Sequence, residues 1–419
     1  MKTPERSYDL LLKGGHVIDA ANNVDAVRDV AIKDNKIAAV AADIPTTQAR
    51  KTISVAGYYV TPGLIDIHAH VFGGFAGWLF PDQHCFPAGV TTVVDTGSAG
   101  WKNFEEFKET IIERYKTRVL AFLNIVGAGM GGAVEQDVSE MEPEPCAKMI
   151  EKYPEYIVGS KTAHFGGPGW EAVDGAVKAA RLSGTIGMMD FRPMPTRSYS
   201  DLLLKKLSPG DIHTHLYASH IPLLNEQGIV NDYVREARQR GIIFDLGHGA
   251  GSFWFRIAAP AMQQGFPPDT ISTDLHKSSA LLPNATMPVT MSKMLNLGMS
   301  LQEVVMRSTL MPAQVIRRPE LGTLSVGACA DVAVLELLRG AFGFLDSGLA
   351  RMNGDRKLQC VLTLRNGEIV WDLNGISRPD WREAGRYQRI EQYDGASLHS
   401  NNLRTRHLKP GTTSSPDNT

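Results

Sequence analysis

The sequence predicts an α/β protein: a (β/α)8 barrel of the TIM type carrying a small β-sandwich domain built from both termini. Three observations carry this expectation. From Pro62 onward short apolar strands alternate with helix-length segments, and the runs on either side of that region are β-type without helical spacing. The 419 residues also leave room for a barrel of about 250 residues and a smaller unit beside it.

In chain order, Leu10-Leu11-Leu12, Val17-Ile18, Val30-Ala31-Ile32 and Ile37-Ala38-Ala39-Val40 are short β-type runs, the last two flanking the turn Lys33-Asp34-Asn35-Lys36. Barrel strands are expected at His68 and its neighbours, Thr91–Thr96, Arg118–Val126, Ile157–Ala163, Thr185–Phe191, Asp211–Tyr217, Gly241–Gly247 and Thr270–Leu275. Helices are expected over Phe104–Arg114, Pro145–Lys152, Glu171–Leu182 and Leu301–Arg307. The strands are nearly continuous apolar runs, as a sheet covered on both faces requires. β character returns at Gly322–Leu324, Asp331–Leu335, Val361–Leu364 and Gly367–Val370. The expected division is therefore 1–60 with 320–376 as the sandwich, 61–319 as the barrel, and 377–419 as a polar tail that buries too little apolar surface to order itself.

Charge is nearly balanced at -2, which argues against a nucleic-acid or anionic-membrane partner and for a small-molecule substrate. No stretch of about 18 apolar residues is present, and the polar start Met1–Asp9 has no signal-peptide core. Cys85, Cys146, Cys329 and Cys360 form no Cys-x-x-Cys pair, so a reducing cytoplasm is expected, with the chain acting as a homo-oligomer.

The chemistry starts at Thr61-Pro62-Gly63-Leu64-Ile65-Asp66-Ile67-His68-Ala69-His70. Alternate residues of a strand share a face, so His68 and His70 at its carboxyl end have the spacing to hold one divalent ion. Barrel active sites form at the carboxyl ends of the strands. Ionisable residues recur there: Lys161 on the fourth, Asp190 on the fifth, His213 and His215 on the sixth, Asp245 and His248 on the seventh, Asp274 and His276 on the eighth. Such groups in apolar strands are costly unless paired or metal-bound.

With these motifs in place the chain resembles the amidohydrolase superfamily, in its amidohydrolase/deacetylase, dihydroorotase-like branch. The resemblance runs from about Tyr8 to Val370. It is carried by Pro62–His70, Ala88–Asp95, Pro209–His215, Phe244–Gly249 and Asp269–His276. It implies one or two divalent ions, zinc first and manganese second, with His68 and His70 on the first and an N6-carboxylated Lys161 bridging both. It further implies His215 on the second ion, and Asp274 as a ligand that also serves as general base.

The sequence departs from the family on strand five, where Gly187-Met188-Met189-Asp190-Phe191-Arg192 has no histidine. Asp190 is the first choice of ligand there, since carboxylate oxygen suits zinc or manganese. Otherwise His164 or His213 fills the place, His213 sharing a face with His215 but lying deeper, or the enzyme works with one metal. Arg192, His164, His248 and His276 are candidate substrate contacts. Arg197 is a second candidate carboxylate clamp, with solvated surface arginine as its alternative. Trp78, Phe80, Phe165 and Trp170 are candidates for an apolar wall. The resemblance implies a metal-dependent hydrolase that deacylates a small N- or O-acyl carboxylic acid. The alternatives are a cyclic amide hydrolase and a catalytically silent barrel with a binding or assembly role.

Overall fold

The structure is a computed structural model that describes residues 7–73 and 79–385. The chain divides into two compact units, Met1–Ile376 and Ser377–Thr419. In the second, residues 377–385 are described, and there Arg382 Nε donates to Asp380 at 2.8 Å. The rest of the polar tail, and Trp78, lie outside the described residues.

The first unit opens with β1 (Tyr8–Asp19), β2 (Val24–Lys33), β3 (Lys36–Ala41), β4 (Ala49–Ser54) and β5 (Tyr59–Pro62). A parallel series follows: β6 (Leu64–Ala69), β7 (Val90–Gly100), β8 (Arg118–Asn124), β9 (Ile157–Thr162), β10 (Ile186–Met189), β11 (Ile212–His213) and β12 (Ile243–Phe244). It closes with β13 (Val332–Leu345), β14 (Arg351–Arg365) and β15 (Glu368–Asp372).

Strands β6 to β12 hydrogen-bond in chain order as one 7-stranded parallel sheet. Residues 270–275 supply the closing strand. Thr270 bridges Asp245 after β12, and Leu275 bridges Ala69 of β6, both parallel. Gly249 N donates to Thr273 O and His70 N to Leu275 O, each at 2.9 Å. The sheet is therefore a barrel, held at its last seam by few bonds. β7 is buried at every residue, and its Val90-Thr91-Thr92-Val93-Val94 run is β-branched throughout, as a strand packed on both faces favours. Helix Glu171–Leu182 covers the barrel with Ala172, Val173, Ala176, Val177, Ala179 and Ala180, a stripe at helical spacing.

The strands before and after the barrel form one sheet in the order β15-β14-β13-β5-β1-β2-β3, with β4 on β1. Both chain ends build its core, in which Leu12, Val17, Val30 and Val60 meet Val332, Val334 and Leu362. The join is the antiparallel pairing of β5 with β13, Val60 opposite Val334. Gly322–Leu324, expected as a strand, enters no sheet; Leu324 N donates instead to Asp19 Oδ2 at 2.8 Å. The expected helix from Phe104 is α-helical only to Phe107 and continues as a wider π-turn, Lys108–Ile112.

Only Gly63 separates β5 from β6, and a Cβ there would stand 2.1 Å from Thr91 Oγ1. The small sheet therefore runs directly into the first barrel strand. Asp331 ties the two again. It is 3% exposed and accepts from Arg118 of β8 at 2.6 Å and from Arg365 of β14 at 3.1 Å. Burial by itself would raise this carboxyl; Arg118 and Arg365 outweigh it and hold it below the ordinary value.

Asp331→Ala strands two half-buried guanidinium groups and is expected to cost about 3–5 kcal/mol, read as a lower denaturation midpoint. Because the folded pKa of Asp331 is depressed, its contribution is complete above about pH 4 and fades as pH falls through the folded value. The stability gap between wild type and Asp331→Asn should therefore narrow on acidification. A gap that widens contradicts the assignment.

Candidate metal centre

The barrel mouth holds a cavity of about 240 Å³, lined by His68, His70, Met130, Lys161, His164, Asp190, His215, Asp274, His276 and Ser278. These come from the carboxyl ends of β6, β9, β10, β11 and the closing strand, with Met130 from the loop after β8. His164, His215 and Asp274 have left-handed backbones, with φ of 52, 64 and 45°. That conformation is unusual for residues with a Cβ and clusters at functional sites.

Two groups of ligand-type atoms face each other. In the first, Asp274 Oδ1 lies 3.5 Å from His68 Nε2 and 3.1 Å from His70 Nε2. In the second, Asp190 Oδ2 lies 3.5 Å from His215 Nε2 and 4.0 Å from His164 Nε2. Ligand atoms of His68, His215 and Asp274 also lie within 4.8 Å of one another. Lys161 is fully buried, and its Nζ has no hydrogen-bond partner among the described residues. Burial lowers its pKa, while the carboxylates that act on it most strongly, Asp190 and then Asp274, oppose the shift.

The imidazoles are held from behind. The single Thr214 hydroxyl proton goes to Asp245 Oδ2 at 2.8 Å, so at its 2.8 Å contact with His68 Nδ1 the oxygen accepts. His68 thus carries its proton on Nδ1 and turns the Nε2 lone pair to the cavity. His215 Nδ1 faces the Gly247 carbonyl at 2.7 Å, which can only accept, so Nδ1 carries a proton and Nε2 points inward. His70 Nδ1 contacts Ser98 Oγ at 2.9 Å. Rings with Nδ1 held by an outer partner and Nε2 turned to the cavity are the arrangement metal-ligating histidines use. Gly249 permits the approach of the neighbouring loop, since a Cβ there would lie 2.3 Å from Asp274 Oδ2.

Burial alone would lower His164 and His215. Glu135 and Asp190 outweigh it at His164 and raise the ring, and Asp190 with Asp274 raises His215 to about 9. Burial would raise Asp190 and Asp274, but His215 acts most strongly on the first and His70 on the second to lower both. A cation at Nε2 of His215 must displace a proton, so its affinity falls with falling pH.

The sequence expectations divide here. His68, His70, Lys161, Asp190, His215 and Asp274 line one cavity, with His164 and His276 beside them. His213 does not share the His215 face. Its ring packs on Tyr199 at 5.0 Å, and the left-handed backbone at residue 215 turns the next histidine the other way. His248 is turned from the cavity and stacks on Phe253 at 4.6 Å, its Nε2 accepting from the buried Lys293 at 2.6 Å. Arg192 is exposed and lines no part of the cavity. Arg197 is neither a clamp nor a surface residue: it is 2% exposed, donates to the Phe165 carbonyl at 2.6 Å and lies over the Phe165 and Phe191 rings. Phe165 and Trp170 pack in that same cluster, and Phe80 is exposed. Met130, Ser278 and Glu135 had no local signal, because each reaches the site from a loop.

The arrangement fits divalent cations: imidazole and carboxylate donors converge beside a buried amine that has no hydrogen-bond partner among the described residues. No protein-family model matches the chain. A deacetylase of Agrobacterium fabrum is 34% identical over 333 residues, covering 77% of this chain and 80% of its own. A solved adenine deaminase superposes with a TM-score of 0.80 at 29% identity, over 86% of this chain and 99% of its own. A solved dihydroorotase gives 0.76 at 29% identity, over 87% and 99%.

Thr214→Val removes the hydroxyl between His68 and Asp245 while keeping the side-chain shape. It is expected to weaken divalent-ion binding about 10–100-fold, measured by competition with a chromophoric chelator. Unchanged affinity would show that the hydroxyl does not orient His68.

Proposed function

Since the chain belongs to the amidohydrolase superfamily and is a metal-dependent hydrolase acting on C–N bonds, we propose that it deacylates a small N- or O-acyl carboxylic acid. The observation that carries this reading is the meeting of His68, His70 and Asp274 with Asp190, His215 and the unsatisfied Lys161 around one small cavity. At about 240 Å³ the space suits a substrate below drug size.

His68, His70 and Asp274 would hold one ion, zinc or manganese, and Asp190 and His215 a second. When bound, such ions lower the pKa of water from 15.7 toward about 7 and polarise the scissile carbonyl. Burial favours the neutral amine of Lys161, which can attack CO2. A bond then forms between Nζ and the carbon, one amine proton leaves to solvent, and a carbamate anion results. That change turns a buried amine without a hydrogen-bond partner among the described residues into a two-oxygen anion beside both donor groups. Asp274, fixed at 3.1 Å from His70, takes the proton of the attacking water and returns it to the leaving atom as the acyl bond breaks. His276, its ring 6.3 Å from that of His70, and Ser278 are positioned to meet the rest of the substrate. The four cysteines are all free, which suits a reducing cytoplasm.

A second reading, opening of a cyclic amide, is favoured by the likeness to the solved dihydroorotase. A panel of acylated acids and cyclic amides, assayed with bicarbonate and added Zn or Mn, separates the two. Hydrolysis of the acylated acids is expected, with loss on chelation and recovery when metal and bicarbonate are restored. Turnover of cyclic amides alone supports the second reading. Bound metal without any turnover supports a binding role. Asp274→Asn is expected to lower kcat by about 10²–10⁴-fold, and near-normal kcat removes it as the base.

A further inference from the structure

Strand five lacks a histidine, yet the structure places one beside the gap. Met189 of β10 pairs with Thr162 of β9, and Asp190 N donates to Thr162 O at 3.1 Å. The residues just past those two strand ends, Asp190 and His164, are therefore neighbours, and both line the cavity. His164 Nε2 lies 4.0 Å from Asp190 Oδ2, which lies 3.5 Å from His215 Nε2. Donors around a tetrahedral ion with bonds of about 2.0–2.1 Å stand roughly 3.3 Å apart, so these spacings need only small adjustment.

His164 is also oriented from behind. Glu135, in the turn Gly132–Gln136, is 1% exposed, and its Oε1 lies 3.2 Å from His164 Nδ1 while Oε2 accepts from Gly132 N. A carboxylate accepts, so His164 Nδ1 carries the proton in that contact and Nε2 is directed at Asp190. A buried carboxylate behind an imidazole is the outer partner that metal-bound histidines use to fix ring and tautomer. The left-handed backbone at His164, with φ of 52°, holds the ring in this place at some conformational cost.

We propose that His164, positioned by Glu135, is a further nitrogen ligand of the second ion beside His215, with Asp190 its oxygen ligand, so that the ligand missing from strand five is supplied from the end of strand four. The proposal rests on the metal-dependent reading above. It makes Asp190 and His164 joint ligands rather than alternatives. Glu135 then acts as a positioning residue that touches no substrate.

Metal content decides it, measured by plasma mass spectrometry on the intact protein loaded with Zn and bicarbonate and then desalted. Wild type is expected to carry two ions per chain, and His164→Ala and Asp190→Ala about one each. Glu135→Gln should weaken the second ion about 10–100-fold, seen as a separate phase in a zinc titration. Circular dichroism checks that each variant is folded; the His164 side chain is 43% exposed, so its removal opens no core cavity. Two ions retained in His164→Ala, with only KM raised, would make it a substrate contact and overturn the proposal. One ion in saturated wild type overturns the proposal but leaves the hydrolase reading standing. No ion in wild type overturns both.

Discussion

The buried carboxylate of Asp245 is the constraint on which the barrel mouth depends. It is fully buried and accepts from Thr214, Thr270 and Ser272. Those hydroxyls belong to the sixth and eighth barrel strands, and Asp245 itself follows β12. Burial pushes its pKa up, and the three hydroxyls oppose that rise. A lone carboxylate in this position would be strongly unfavourable, so the donors must all be present. One group thus fastens the weakest seam of the barrel and, through Thr214, sets the tautomer of His68. Closure of the fold and preparation of the site are the same event.

Most of the architecture was legible because it follows from period and burial. Seven of the eight expected barrel strands are found near their predicted places, since runs such as Val90–Val94 and Arg118–Asn124 are apolar enough to be covered on both faces, and the eighth, Thr270–Leu275, closes the barrel by isolated bridges rather than a continuous ladder. Less visible was how short the later strands are: β11 and β12 are two residues each. The left-handed turns at His215 and Asp274 aim side chains into the cavity and interrupt the ladder there. A strand pattern assumes an unbroken ladder, so it put His213 and His215 on one face. That assumption fails where the site bends the backbone.

The site itself was legible in its ligand-type residues and illegible in its supports. His68, His70, Lys161 and Asp274 announce themselves by residue type at strand ends. Arg197 and His248 carry the same kind of label, yet the fold uses one to brace the Phe165 loop and the other to receive a hydrogen bond from Lys293. Nothing local separates a polar residue that faces a cavity from one that faces a buried partner. Glu135 shows the converse, a loop carboxylate given its meaning by the ring 3.2 Å away.

The join at Gly63 has a consequence for the order in which the protein can be made. β5 continues directly into the strand that bears His68, and β5 is held in its sheet by β13, which lies beyond the whole barrel in sequence. The first metal-ligand strand is therefore anchored to a segment that leaves the ribosome late. Until it arrives, β5 has β1 but not β13 beside it, and the loop to be closed spans most of the chain, an entropic cost that delays such contacts. A nascent chain ending before β13 holds every donor of the first group, yet lacks the frame that keeps them in register. The register of the first donor group is thus tied to the synthesis of β13.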